Sequence, residues 1–228
     1  MMFPSFDPEI HIARAEVGAI DPDRWIVKVA IDWGISSPSV GLLGSFAKRD
    51  MNFTDGSVLP RGSVIIEAEV NDAIFGEESL NNSKEWTADR LAERITSVCA
   101  DYGVKRPHAV VDDARGLQGE SVIEMMRSTG GFWNISKPRK GRRSEGWAHI
   151  NSMLQAAAEK NPARPHLYIN ERCKLLLATL PNAVRDENDP DDWNDTPHCP
   201  DHAGDALRYL LAESLVKPIT VGRTVGLY

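Results

Sequence analysis

The sequence predicts a mixed α/β fold, in which an antiparallel meander and parallel strands form one sheet that is flanked by helices. Two strand-like segments, "SVGLLGSFAKRD" and "GSVIIEAEVND", flank a turn-rich stretch over residues 50–62, as expected for a meander. From residue 87 onward, helical patterns alternate with short apolar runs, which is typical of crossover units that join parallel strands. With 228 residues and 42% hydrophobic content, the chain can bury a sizeable core.

The sequence pattern in the first part of the chain predicts a leader that is followed by the meander. Residues 1–24 show little periodicity and end in the turn-like "DPDR", which indicates a leader or linker with at most a short helix or strand. "WIVKVAIDWG" then places β-branched residues in succession from Trp25 and stops at Asp32 and a glycine, as a core strand leading into a loop does.

Helices and single strands are predicted to follow. Residues 87–102 place apolar side chains on one helical face, which predicts a helix. The later elements are a short buried strand in "PHAVVDD", a helix in "GESVIEMMRSTGG", a strand in "FWNIS", a helix near residues 145–160, a short edge strand in "HLYIN" and a helix over residues 171–180. Residues 185–197 are acidic and rich in turn formers, which marks a surface loop before the final helix of "HCPDHAGDALRYLLAE". We therefore expect a leader over 1–24, one domain over 25–216 and a tail over 217–228.

Composition and charge argue against several classes of function. The formal net charge of -7 argues against a general polyanion-binding protein, so any nucleic-acid contact must come from a local basic patch. The widely spaced Cys99, Cys173 and Cys199 fit reduced thiols and an intracellular site. The opening residues lack the features of a signal peptide, and no stretch has the roughly 20 apolar residues of a membrane span.

Three aspartates are predicted to converge at one edge of the sheet. Asp32 closes the first strand and Asp112 closes the fourth, and the carboxyl ends of parallel neighbours lie side by side. Asp205 lies in the early turns of the final helix, which can supply a third carboxylate. Three clustered carboxylates repel one another unless a cation shares the site, and hard oxygen ligands suit Mg²⁺ or Mn²⁺. Two such ions can support phosphodiester cleavage.

Four segments together resemble a known family. "VAIDWGISSPSV", "AVVDDARGLQGESVIEMM", the "KPRKGRRSEG" loop and "DHAGDALRYLL" look like the nuclease domain of the phage large terminase, the DNA-packaging motor, over roughly residues 25–212. The resemblance implies an RNase H-like fold and a metal-dependent endonuclease that cuts double-stranded DNA during genome packaging. Carried over by position, Asp32, Asp112 and Asp205 match the family's metal-binding acids.

The same resemblance implies partners and a place of action. The partners would be double-stranded DNA, the terminase ATPase domain, the small terminase subunit and the portal, in the cytoplasm of an infected bacterial host and away from membranes. No GxxxxGK[ST] phosphate-binding loop occurs, so we expect a nuclease unit that is excised or separately encoded.

Two neighbouring residues are auxiliary candidates. His202, one turn before Asp205, matches a histidine that approaches a metal in some family members, and a plain surface histidine is the alternative. Asp201 could join the same helix face or could act as the helix N-cap. A zinc site from His198, Cys199 and His202 is disfavoured because a fourth ligand is missing.

The basic loop predicts DNA contact. Five cations stand within seven residues, against the overall charge: Lys137, Arg139, Lys140, Arg142 and Arg143. Such a loop can neutralise phosphates and hold a duplex over the acids, although a solvated surface run has the same composition. The acidic residues 185–197 would repel DNA and are expected off its path or as a gate.

Other functions share part of this pattern. A Holliday-junction resolvase or another RNase H-like nuclease has a similar set of acids. An actin-like ATPase also begins with a strand, Asp and Gly, but needs a second phosphate-binding loop and about twice the length. A catalytically silent nucleic-acid adaptor of the same fold is the third alternative.

Overall fold

A seven-stranded mixed sheet forms the centre of the computed structural model, which describes residues 1–54, 56–76, 79–112, 121–132, 134–138 and 141–212. The strands are β1 (Ile12–Ala13), β2 (Trp25–Asp32), β3 (Val40–Ala47), β4 (Met51–Asn52), β5 (Val58–Leu59), β6 (Val64–Asn71), β7 (His108–Val111), β8 (Asn134–Ser136) and β9 (Leu167–Asn170). The helices are α1 (Pro8–His11), α2 (Ala88–Asp101), α3 (Val122–Ser128), α4 (Arg143–Ala158), α5 (Lys174–Thr179) and α6 (His202–Ala212), with a 3-10 turn over Leu180–Asn182.

The sheet combines the predicted meander with parallel strands in the order β1-β9-β6-β3-β2-β7-β8. β3 pairs antiparallel with both β2 and β6, whereas β7 pairs parallel with β2 and β8 parallel with β7. β4 and β5 form a separate two-stranded ribbon. The predicted fold class is confirmed.

Helices cover both faces of the sheet, so the central strand β3 is buried along its whole length. α2 and α3 pack on one face, and α4, α5 and α6 pack on the other. Two glycines of β3 allow this close approach: a Cβ on Gly41 would lie 2.4 Å from Ile95 Cδ1 of α2, and one on Gly44 would lie 2.6 Å from Leu210 Cδ2 of α6. Because neighbouring positions alternate between faces, these glycines admit a helix on each side.

The first residues of the chain belong to the packed structure. Phe3 is fully buried, with its ring edge-on to Trp147 at 6.1 Å and to Trp193 at 5.8 Å between centroids. The two residues of β1 pair with β9, which places "HLYIN" one strand inside the sheet edge and corrects its prediction as an edge strand. The division into leader, domain and tail stays a prediction, and residues 213–228 lie outside the described part of the chain.

The acidic segment 185–197 is only partly the surface loop that was predicted. Trp193 is buried within the core, where its indole nitrogen donates to the Cys199 carbonyl oxygen at 3.1 Å. Its burial anchors the segment against α6, because Trp193 contacts the backbone position of Gly204, where a Cβ would lie 2.7 Å from the ring. In the described residues, no helix has the length and apolar character needed to cross a membrane.

Candidate active site

The edge of the sheet places Asp32 beside Asp112. Ile31 and Val111 are register partners in the parallel pair β2–β7, so the next residue of each strand follows at the same edge. The amide of Asp112 donates to the Ile31 carbonyl oxygen at 3.1 Å and extends this register by one residue. The predicted adjacency of these two strand ends is confirmed.

The loop that leaves Asp32 is fixed by a second, structural aspartate. Asp72 is fully buried, and its carboxylate accepts from the backbone amides of Ser39 at 2.7 Å and Trp86 at 2.9 Å. Because two amides from separate segments share this carboxylate, the chain that leaves the sheet edge is held in one path.

Helix α6 brings Asp205 to the same edge. The helix packs against β2 and β3 through an apolar face that includes Ala206, Leu207 and Leu210, all fully buried. Asp201 directly precedes the helix, and its carbonyl oxygen accepts from the Asp205 amide at 2.7 Å, so Asp201 occupies the N-cap position. Asp205 is 7% exposed, which would be costly for a carboxylate without partners.

A cleft of about 580 Å³ opens at this edge of the sheet. All three predicted acids line it, together with the two auxiliary candidates. Its lining residues are Asp32, Trp33, Gly34, Ser37, Asp112, Gly141, Arg143, Asp201, His202, Asp205, Arg208 and Tyr209. Segments far apart in sequence thus deliver their carboxylates to one cavity.

Side chains of α6 contact each of the three acids. His202 Nδ1 lies 3.2 Å from Asp32 Oδ2, and the Tyr209 hydroxyl donates to Asp112 Oδ2 at 3.1 Å. Arg208 Nε donates to Asp205 Oδ1 at 3.0 Å. Positions 202, 205 and 209 lie on one face of a helix because they are three or four residues apart. α6 therefore forms one wall of the cleft.

The imidazole of His202 bridges two acceptors. Its Nε2 lies 3.0 Å from Asn81 Oδ1, opposite the contact of Nδ1 with Asp32. A protonated imidazole donates from both nitrogens, so this arrangement favours the charged form. Burial opposes the charge, yet the hydrogen bond to Asp32 and the negative charges of Asp32 and Asp201 raise the pKa of His202 overall.

Arg143 enters the cleft from the first residue of α4. Its guanidinium donates to Asp201 Oδ2 at 2.6 Å, to Asp205 Oδ2 at 2.8 Å and to Asp192 Oδ1 at 2.9 Å. The guanidinium also stacks over Trp147, 5.4 Å from the ring centroid. Burial and the Coulombic attraction of Asp205 act in opposite directions, and the carboxylates together raise the pKa of Arg143.

Burial and mutual repulsion raise the pKa values of two of the acids. Burial raises the pKa of Asp32, and the charges of Asp205 and Asp112 raise it further against the hydrogen bond from His202. Burial likewise raises the pKa of Asp205, although Arg208 and Arg143 lower it in part. Raised carboxyl pKa values mean that the cleft holds negative charge at an energetic cost, which a bound cation would reduce.

The predicted DNA-binding residues fall into three groups. Lys137 and Arg142 are exposed, and Arg142 occupies the N-cap position of α4. Arg143 is instead bonded to the acids of the cleft, while Arg139 and Lys140 lie outside the described residues. Contact of these five residues with DNA stays a prediction.

Three residues that contact the predicted site were not among the predicted site residues. Asn81 and Asp192 come from irregular segments without a chemical motif, and Tyr209 lies within "DHAGDALRYLL", where no role was predicted for it. The Cys199 thiol donates to the Thr179 carbonyl oxygen at 3.3 Å.

The donor set fits a divalent metal in kind, and each of the three acids already has at least one oxygen in a polar contact. Asp32, Asp112 and Asp205 offer hard carboxylate oxygens, the ligands that such ions prefer. Within the described residues, no group of three or more His, Cys, Asp or Glu side chains is arranged to hold a metal ion as it stands. Both oxygens of Asp205 accept from arginines. A cation beside Asp205 would therefore be repelled by two neighbouring guanidinium groups.

Comparison with solved structures identifies similar folds. The large terminase from a thermophilic bacteriophage gives a TM-score of 0.60 at 18% identity, covering 93% of this chain and 44% of that one. The P22 large terminase nuclease domain gives 0.59 at 12% identity, with 91% and 89% coverage. The large terminase nuclease from the thermophilic phage G20c, with bound cobalt, gives 0.53 at 15% identity, with 95% and 97% coverage.

These similarities confirm the predicted resemblance at the level of the fold. The chain spans about 44% of the first of these terminases and nearly the whole of the P22 nuclease domain. No protein-family model matches the sequence, and no curated protein matches it.

Proposed function

We propose that this chain is a divalent-metal-dependent endonuclease that cleaves double-stranded DNA during viral genome packaging, as the nuclease part of a large terminase. The observation that carries the proposal is the presence of Asp32, Asp112 and Asp205 in one cleft at the sheet edge. The shared fold with terminase nuclease domains supports the same function, and the cobalt bound to the G20c nuclease supports a divalent metal.

Asp32, Asp112 and Asp205 would hold Mg²⁺ or Mn²⁺, with Asp201 as a further candidate ligand. Divalent ions at such a site activate a water molecule and stabilise the leaving oxygen of a phosphodiester. His202 would orient the Asp32 carboxylate through its 3.2 Å contact, and Tyr209 would orient that of Asp112. These two contacts limit the rotation of the carboxylates before a metal arrives.

The DNA would approach along the segment that precedes α4. Lys137 and Arg142 are exposed there, and Gly141 belongs to the cleft lining, so the segment connects the solvent to the acids. Arg139 and Lys140 would add to the same phosphate contacts. The ATPase domain, small subunit and portal would be partners of the assembled motor in the host cytoplasm.

A plasmid-nicking assay with Mn²⁺ tests the proposal. Asp32→Asn, Asp112→Asn and Asp205→Asn should each reduce cleavage by about 100-fold or more, since each removes a charged ligand. Glu93→Gln is the matched control, because Glu93 is an exposed acid of α2. Circular dichroism confirms that each variant is folded.

Two results would contradict the proposal. Nicking that survives all three substitutions in folded protein would remove these aspartates from the reaction. ATP hydrolysis without any nicking would favour an ATPase instead.

A further inference from the structure

Both carboxylate oxygens of Asp205 lie against arginine side chains. Its Oδ1 accepts from Arg208 Nε at 3.0 Å, and its Oδ2 accepts from Arg143 Nη1 at 2.8 Å. Each oxygen keeps a second lone pair, but a divalent cation bound there would lie close to two guanidinium groups that carry the same sign of charge, so metal binding favours the departure of one of them. The two arginines differ in how readily they can leave Asp205.

Arg208 is held in place by its surroundings. Its side chain is 7% exposed, and its guanidinium lies 4.7 Å from the ring centroid of Tyr209 and 5.5 Å from that of Trp147. Its aliphatic part runs directly beneath Gly146 of α4, where a Cβ would lie 2.4 Å from Arg208 Cγ. Releasing Arg208 would require α4 and α6 to separate.

Arg143 is the displaceable partner. Its side chain is 35% exposed and stands at the first residue of α4, next to the exposed basic segment. Rotation about its side-chain bonds can move the guanidinium into solvent, at the loss of its contact with the Trp147 ring, 5.4 Å from the centroid. The same movement would release Asp201 and Asp192, because one guanidinium contacts all three carboxylates.

We propose that Arg143 competes with the divalent metal for Asp205 and Asp201 and so sets the metal affinity of the cleft. The proposal rests on the nuclease function proposed above. Without metal, the guanidinium offsets the repulsion among the carboxylates that it contacts. With metal, it leaves Asp205 and turns toward solvent, where a DNA phosphate is its natural partner.

Calorimetric titration of Mn²⁺ into the metal-free protein, without DNA, tests the competition directly. Arg143→Gln removes the competing charge and should bind Mn²⁺ roughly tenfold more tightly than the native chain, within the usual range of coupling between two ligands. Arg143→Lys keeps the charge but replaces the three separate guanidinium nitrogens with a single ammonium nitrogen, so its affinity for Mn²⁺ should lie between the two. Arg164→Gln is the control, because Arg164 is exposed beyond the far end of α4.

Thermal denaturation provides a second readout that needs no catalysis. In EDTA, Arg143→Gln should unfold at a lower temperature than the native chain, because its carboxylates lose their shared cation. Added Mn²⁺ should stabilise this variant more than the native chain, since tighter binding to the folded state gives a larger shift.

The outcomes separate this proposal from the nuclease function. Unchanged or weaker Mn²⁺ affinity in Arg143→Gln, with binding that depends on Asp205, would overturn the competition and leave the nuclease proposal intact. Absence of Mn²⁺ binding in every variant, the native chain included, would overturn both.

Discussion

Replacing Gly146 by alanine tests the packing that fixes Arg208 against Asp205. Gly146 lies inside α4, where alanine is favoured over glycine by about 1 kcal/mol from helix propensity alone. The structure predicts instead that the substitution lowers the free energy of unfolding. The new Cβ would lie 2.4 Å from Arg208 Cγ and 2.5 Å from Cδ, whereas carbon atoms pack at about 3.5–4.0 Å.

The clash has a definite energetic consequence. These atoms belong to the middle of a buried side chain, so overpacking should cost about 1–3 kcal/mol. To relieve the clash, Arg208 must also move far enough to break its 3.0 Å hydrogen bond to Asp205. The loss of a hydrogen bond to a charged group costs about 1.5–3 kcal/mol. After the helix gain is subtracted, Gly146→Ala should lower the free energy of unfolding by about 1.5–5 kcal/mol.

Urea and thermal unfolding followed by circular dichroism measure this effect. For a chain of this size, the melting temperature should fall by roughly 3–20 °C. Ala148→Gly, at an exposed position of the same helix, isolates the propensity contribution and should cost about 1 kcal/mol. If Gly146→Ala is as stable as the native chain, Arg208 does not occupy the position beneath α4 from which it holds Asp205.

Two further predictions concern charge. The pKa of His202 is raised in the folded state above its ordinary value of 6.5. The protonated imidazole therefore contributes fully to the free energy of unfolding below pH 6.5, and this contribution is lost as the pH rises through the folded-state pKa. The difference in urea midpoint between native chain and His202→Gln in EDTA should therefore shrink from about pH 6.5 upward, and a difference that grows with pH would contradict the pairing with Asp32. Arg142→Gln should weaken DNA binding and reduce the slope of log affinity against log salt by about 0.9, and an unchanged slope would remove Arg142 from phosphate contact.

The position of the acids was predictable because it follows from topology. Asp32 and Asp112 each end an apolar run, and a parallel pairing of those runs is enough to bring them together. Asp205 required only that an amphipathic helix pack on the adjacent face. These inferences use periodicity and strand direction, which are properties of the local sequence.

The position of Arg143 was not predictable in the same way. In sequence it belongs to a run of cations, and its neighbour Arg142 is indeed exposed. The helix begins between them, and the change of backbone direction at its first turn sends the Arg143 side chain toward the acids. Similarly, the burial of Phe3 depends on Trp147 and Trp193, which are far away along the chain. Such contacts arise from tertiary packing and leave no periodic signal.

The cleft contains more negative than positive groups, so a bound cation would reduce the repulsion within it. Among the described residues, five carboxylates contact or line the cleft, namely those of Asp32, Asp112, Asp192, Asp201 and Asp205. Three cationic groups face them when His202 is protonated, which leaves two excess negative charges if all five acids are ionised. Divalent ions would offset this excess and the further negative charge that is exposed when Arg143 leaves, whereas a DNA phosphate without a metal would add to the repulsion. Burial and the neighbouring carboxylates raise the pKa values of Asp32 and Asp205, so ionising both acids in the cleft costs free energy that a cation would reduce.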